Sequence, residues 1–279
     1  MRILLLGRDG QVGRELARSL APLGEVSALG RAQLDLSDAA RVSATVRAAS
    51  PEVIVNAAAY TAVDRAESEP QLAFAVNASG PAVLAAEAAR LGALLVHYST
   101  DYVFDGAKAG AYVEDDAPHP LNVYGSSKLA GERAIVAAAC RHLLLRTSWV
   151  YGPHGSNFML TILRAARERP ELRVVDDQVG APTSSAALAR ATAQVLRAGA
   201  EGLYHMSAAG KTSWCGFARA ILARAGLHTP VVAIRSEEYR AAARRPRNSL
   251  LDNSRLRAAC GVALAPWEEG LAEVPFAAP

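Results

Sequence analysis

The sequence predicts an α/β fold built on a doubly wound parallel sheet, with a smaller C-terminal α/β lobe. Three observations carry that reading. Short leucine-rich or β-branched runs recur at 2–6, 25–29, 52–56, 94–98 and 142–147. Stretches with helical spacing of apolar residues separate them, and strands alternating with helices form parallel sheets. The first run ends in Gly7-x-x-Gly10-x-x-Gly13, a glycine turn that opens directly into a helix. At 279 residues and 51% apolar composition, the chain has material for one large domain or a main domain with a companion.

Composition excludes several classes of function. Thirty basic and 27 acidic side chains leave a net charge of +3, too even a balance for a nucleic-acid surface. The one basic cluster, Arg240 to Arg247, has little aromatic interleaving and reads as a solvated face or a small-anion site. Cys140, Cys215 and Cys260 are odd in number and far apart, which argues against a disulfide framework. No C-x-x-C or H-E-x-x-H spacing occurs, so no metal is expected. The apolar start, Met1 to Gly7, is too short for a signal peptide or a membrane span. A cytoplasmic chain with no membrane or nucleic-acid partner is expected.

In order, Arg2–Leu6 is the first strand. The helix after it carries Val12, Leu16 and Leu20 on one stripe. Glycines there permit a tight turn and a close ligand, and the helix N-terminus offers free N–H groups to a pyrophosphate. Gly7, Gly10, Gln11, Val12 and Gly13 are therefore candidate cofactor residues of a Rossmann-type fold. The second strand ends at Gly30-Arg31. An acidic residue there would bind a ribose 2′-hydroxyl, whereas Arg31 suits a 2′-phosphate. That favours NADPH and leaves NADH open; Asp35 and Leu36 follow within reach of the adenine. Asp38 to Ala49 is a short helix. Glu52 to Asn56 is a buried strand, and the small residues after it, Ala57 to Ala59 with Tyr60, let a cofactor lie against the backbone. Gln71 to Leu91 is a helix expected to bend or split at Gly80-Pro81.

Leu94 to Tyr98 runs into Ser99-Thr100-Asp101, hydroxyls at the C-terminal end of a central strand, where ligands bind in open α/β sheets. A Gly/Pro/Asp-rich loop, 105–122, leads to the helix Tyr124 to Ala139. There Tyr124 and Lys128 stand four residues apart on one face. A nearby ammonium stabilises phenolate and lowers the phenol pKa from about 10, which suits Tyr124 for acid–base work. His142 to Thr147 is the next strand. The texture changes after Gly152, dividing a dinucleotide-binding domain, 1–152, from a mainly substrate-binding lobe, 153–279, some elements of which return to the main sheet. Within that lobe, 176–183 reads as an irregular polar segment on the substrate side, with Gln178 as its candidate contact.

Gly7-x-x-Gly10-x-x-Gly13, Ser99-Thr100-Asp101 and Tyr124-x-x-x-Lys128, in this order, resemble the extended short-chain dehydrogenase/reductases. Longer runs narrow this: 53–70, 97–106, 120–132, 146–152, 176–183 and 245–252 are similar to the dTDP-4-dehydrorhamnose reductase family. The resemblance implies reduction of the C4 ketone of a dTDP-4-keto-6-deoxy sugar to dTDP-L-rhamnose. It implies Tyr124 as proton donor, Lys128 on the nicotinamide ribose, and Thr100 on the carbonyl oxygen. It also places Asp101 and Trp149 near the sugar, and Gly10 to Val12, Asp35-Leu36 and Ala58-Ala59-Tyr60 along the cofactor. Family dimers bridged by magnesium use glutamates; Glu15 matches one, but Ala186 stands at the second, so no metal is carried over. A monomer or homodimer is expected. Two other readings keep the fold: another nucleotide-sugar 4-ketoreductase, and a non-catalytic regulatory subunit of the methionine adenosyltransferase type. The intact Thr100/Tyr124/Lys128 set argues against the latter. The Asp101-Tyr102 pair, in place of Asp-Glu, disfavours a 4,6-dehydratase.

Overall fold

A computed structural model describes residues 1–275. Its centre is a six-stranded parallel sheet built from β1 (Arg2–Leu6), β2 (Glu25–Leu29), β3 (Val53–Asn56), β4 (Leu94–Thr100), β5 (His142–Thr147) and, from far along the chain, β7 (Gly202–His205). The order is β7-β5-β4-β3-β1-β2. The chain steps outward from β1 to β2, then returns past β1 to build β3, β4 and β5. That reversal opens a crevice between β1 and β3 at the strands' C-terminal ends, where ligands settle in such sheets.

Both faces of the sheet are covered, which is why its strands read as unbroken apolar runs. Side chains alternate: Ile3, Leu5, Val53, Val55, Leu143 and Leu145 enter one core, and Leu4, Leu6, Ile54, Leu95 and Leu144 the other. Helix α1 (Gln11–Ser19) covers the first face beside α6 (Ser185–Arg197), burying Leu16 and Leu188. The second face takes α2 (Ala39–Ala49), α3 (Pro70–Leu91) and α4 (Val123–Ala137).

Helix α3 is long and apolar enough to cross a membrane, yet half of its most apolar window is buried, with Leu84, Ala85 and Ala88 in the second core. The expected interruption near Gly80-Pro81 takes the form of a five-residue π turn, Ala75–Ser79, directly before it. The wide turn lets the axis continue past a residue with no N–H to donate. Gly80 is required there, since a Cβ would meet the Leu36 carbonyl oxygen at 2.8 Å.

A third core lies beyond the sheet's C-terminal edge. There α5 (Phe158–Glu168) and α7 (Trp214–Arg224) pack on β6 (Leu172–Val175) and its parallel partner β8 (Val231–Ile234), burying Met159, Phe217, Ile221 and Trp267. The segment expected to be irregular contributes two-residue strands. Val179–Gly180 pairs antiparallel with Thr212–Ser213, and Thr183–Ser184 pairs parallel with Val150–Tyr151. These ladders are too short to leave a periodic signature in sequence.

Candidate active site

The glycine turn stands at the end of β1. Gly7 has φ +84°, and a Cβ there would lie 2.6 Å from the Ala58 nitrogen; one on Gly13 would lie 2.0 Å from the Gly7 carbonyl oxygen. The turn, the start of α1 and the chain after β3 thus pack backbone to backbone. Gly10 occupies the N-cap of α1 with no side-chain cap, so the first-turn N–H groups stay free for an anion. This cradle fits a dinucleotide pyrophosphate. The side chain of Val12 packs toward the first core and that of Leu36 is buried in the second, leaving their backbones to face a ligand.

Arg31 is exposed just past β2 and pairs with Asp35, Nε to Oδ2 3.2 Å. Hydrogen bonds from the Ser37 backbone and hydroxyl, and then the Arg31 guanidinium, hold the Asp35 carboxyl below its ordinary range. After β3, the Ala58 N–H donates to Asn56 Oδ1 at 3.1 Å and the Tyr60 N–H to Asn77 Oδ1 at 2.8 Å. The Tyr60 hydroxyl donates to Glu69. Ala59 lies between these two anchored residues.

Asn122 caps α4, accepting from the Gly125 N–H at 2.7 Å, and sets Tyr124 and Lys128 in the first turns. Tyr124 forms one wall of a cleft of about 570 Å³, with Thr100, Asp101, Trp149, Gln178 and Gln11 also lining it. The Tyr124 hydroxyl faces that of Thr100, which favours the phenolate. Thr100 Oγ1 donates to Asp101 Oδ1 at 3.0 Å and accepts from the Tyr102 N–H at 3.1 Å.

The phenol departs from expectation. Desolvation in the cleft wall pushes its pKa up to about 12, against the pull of Thr100. The reason is where the lysine nitrogen goes. Lys128 is buried, its Nζ 2.6 Å from the Tyr98 carbonyl oxygen and 3.1 Å from His97 Nε2. Desolvation lowers its pKa to about 8, opposed by Glu132. Burial raises Asp101 to about 6, opposed by the Ser249 and Thr100 hydroxyls.

Of the seven buried side-chain polar atoms without a hydrogen-bond partner among the described residues, three are Ser99 Oγ, Asp101 Oδ2 and Thr147 Oγ1. All three residues line the cleft. Buried polar groups are rarely left unpaired, so this convergence marks a surface built for a polar ligand.

An aromatic wall stands opposite. Trp149, held at φ +47°, stacks on Trp214 with centroids 3.5 Å apart and planes 6° from parallel. Gly180 makes room, because a Cβ there would lie 2.4 Å from the Trp149 ring. A bulky residue in left-handed backbone costs about 1–3 kcal/mol and persists where surrounding structure enforces it. Gln178 is buried and donates to the Ser236 hydroxyl at 2.9 Å. Sequence reasoning missed Trp214, His97 and Arg245. Arg245 reaches the cleft from the basic cluster while paired to Asp64 at 2.7 Å. The available signals were a histidine inside an apolar strand and an arginine beside a proline.

A glycine-turn dinucleotide fold with a Thr, Tyr and Lys set at the strand ends defines a reductase of the short-chain dehydrogenase type. Comparison with known proteins narrows this. The model of the RmlD substrate binding domain family matches residues 1–276, and the chain belongs to that family. It is 48% identical to the dTDP-4-dehydrorhamnose reductase of Burkholderia thailandensis, covering 96% of this chain and 95% of the relative. Identity to the Escherichia coli K12 enzyme of the same name is 44%, over 97% and 96%. The crystal structure of the Bacillus anthracis dTDP-4-dehydrorhamnose reductase in complex with NADP superposes with TM-score 0.93 at 38% identity, covering 97% and 96%.

Proposed function

We propose that this chain reduces the C4 ketone of dTDP-4-dehydro-6-deoxy-L-mannose to give dTDP-L-rhamnose, using NADPH by preference and accepting NADH. The observation that carries the reading is the Thr100–Tyr124–Lys128 set at the same sheet edge as the glycine cradle, in a chain of this family. NADPH, when bound, supplies the hydride that reaches C4.

Every other part of the chemistry belongs to the protein. The Thr100 hydroxyl turns from Asp101 to the ketone oxygen and stabilises the charge that develops there. Tyr124 then delivers its proton to that oxygen. Lys128, as an ammonium, holds the ribose hydroxyls and lowers the cost of forming phenolate. The first-turn N–H groups of α1 hold the pyrophosphate, and Arg31 holds the 2′-phosphate, with Asp35 and the Leu36 backbone near the adenine. Asp101, Trp149 and Gln178 hold the sugar. The protein works as a cytoplasmic biosynthetic enzyme on a small-molecule substrate, with 1–152 carrying the cofactor and 153–279 most of the sugar nucleotide.

The test is NADPH oxidation by purified protein with the dTDP-4-keto sugar, compared with the UDP- and GDP-linked keto sugars. Oxidation restricted to the dTDP compound is expected. Equal rates with all three would place the chain among less selective nucleotide-sugar ketoreductases, and no oxidation with any would exclude the reductase reading.

A further inference from the structure

His97 is wholly buried in β4, directly across the parallel register from Asn56 in β3. Its two ring nitrogens both have partners: Nδ1 lies 3.0 Å from Asn56 Nδ2, and Nε2 lies 3.1 Å from Lys128 Nζ. A neutral imidazole has one donor and one acceptor, so the proton must be counted through the chain of contacts.

The Asn56 amide fixes the count. Its Oδ1 accepts the Ala58 N–H at 3.1 Å, so its Nδ2 faces His97 and donates to Nδ1. The His97 proton is then on Nε2 and points at Lys128 Nζ. Turning the amide over only moves the conflict, because Nδ2 would then meet the Ala58 N–H donor. With a charged Lys128, either orientation leaves one donor facing another in a dry interior, where such a group is costly. The network closes in one way: Lys128 is an amine that accepts from His97 Nε2–H and donates to the Tyr98 carbonyl.

We infer that His97 is a positioning residue whose tautomer, set by Asn56, holds Lys128 as the neutral amine in the cofactor-free protein. The other groups facing Lys128 agree. Asn56 and the Tyr98 carbonyl are neutral. Glu132, on the same helix, is the one carboxylate acting on it, and it is bound at 2.9 and 2.7 Å by the Arg146 guanidinium of β5. Asp101 acts on Tyr124 instead. Burial takes His97 well below its ordinary value, in line with a neutral ring; it lowers Lys128 to about 8, towards the amine, and the hydrogen-bond geometry carries the rest.

A consequence follows that rests on the cofactor reading above. Ribose hydroxyls give an ammonium new acceptors, so cofactor binding draws one proton from solvent onto Nζ. The balance is amine plus solvent proton to ammonium, with no other bond made or broken. Lys128 is thereby charged only when the site is loaded.

The tautomer is tested without cofactor by ¹⁵N NMR of ¹⁵N-histidine-labelled protein, assigned with His97→Gln. A pyrrole-type Nε2 and a pyridine-type Nδ1 at His97 are expected; the reverse pattern, or a doubly protonated ring, overturns the proposal. Asn56→Asp offers an acceptor to Nδ1 and is expected to move the proton there, freeing Nε2 to accept from an ammonium. Persistence of the Nε2–H form in a folded Asn56→Asp protein also overturns it. Calorimetry of NADP⁺ binding in buffers of different ionisation heat should show uptake near one proton for wild type and near zero for Asn56→Asp. Equal uptake by the two overturns the link to Lys128, whereas failure of NADP⁺ to bind at all would count against the cofactor reading and leave the NMR result standing.

Discussion

Thr100 Oγ1 donates to Asp101 Oδ1 across 3.0 Å, and the Tyr124 phenol stands beside that hydroxyl in the cleft wall. The three groups share one wall of the cleft in the free protein. A ketone oxygen arriving between Tyr124 and Thr100 would accept a hydrogen bond from Thr100 and the one proton from Tyr124, leaving Asp101 to find another donor. Tyr124→Phe removes the proton donor and leaves the fold alone. Turnover should drop by roughly 10²–10⁴-fold, the range for loss of a positioned general acid, while NADP⁺ affinity stays near wild type. Steady-state kinetics beside a cofactor titration checks both, and near-wild-type turnover would remove Tyr124 from the mechanism. Lys128→Met should lower turnover and weaken cofactor binding together.

Asp101 also makes stability depend on pH. Its folded pKa of about 6 lies above the unfolded value of about 3.9. The folded state therefore holds the extra proton between those values, and stability falls as pH rises through that window. The cost above pH 6 is on the order of 2–3 kcal/mol. Asp101→Asn removes this slope, so the variant should gain on wild type in thermal unfolding from pH 4 to pH 7. Parallel pH curves for the two proteins would show that Asp101 is not buried as described.

Cofactor preference is expected to turn on Arg31 and Asp35. Their ion pair is exposed, with 75% of the arginine side chain accessible, and pairs of this kind are worth at most about 1 kcal/mol. A 2′-phosphate competes easily for the guanidinium, and a charge-assisted bond is worth about 1.5–3 kcal/mol. Arg31→Ala should cut the kcat/KM ratio of NADPH over NADH by roughly 10–100-fold. Asp35→Asn should raise it, because a carboxylate near the phosphate is lost. An unchanged ratio in Arg31→Ala would mean that the phosphate is read elsewhere.

Gln178 is anchored to Ser236 while lining the cleft, so its effect should fall on the sugar nucleotide. Gln178→Ala is expected to raise the substrate KM more than the cofactor KM. The opposite imbalance would place the 176–183 segment outside the sugar site.

Much of this was legible before any coordinates. The apolar runs at 2–6, 53–56 and 142–147 read as strands because both faces of the sheet are buried, and Tyr124 and Lys128 read as one helix face because the period of the helix requires it. What the period does not reveal is where a long side chain ends. Lys128 was expected to lower the phenol pKa, but its nitrogen is drawn down to the Tyr98 carbonyl and His97, and desolvation of Tyr124 prevails. Likewise Trp214, the first residue of α7, meets Trp149 only through a ring stack between residues far apart in sequence, with no local signal.

The central claim is hydride delivery to the sugar C4 in a dTDP-linked 4-keto-6-deoxyhexose. The most direct measurement uses NADPH deuterated at the transferring position of the nicotinamide, with the product isolated and read by NMR and mass spectrometry. The account predicts dTDP-L-rhamnose carrying one deuterium at C4. Deuterium at another carbon, the C4 epimer as product, or NADPH loss without label in the sugar would contradict it.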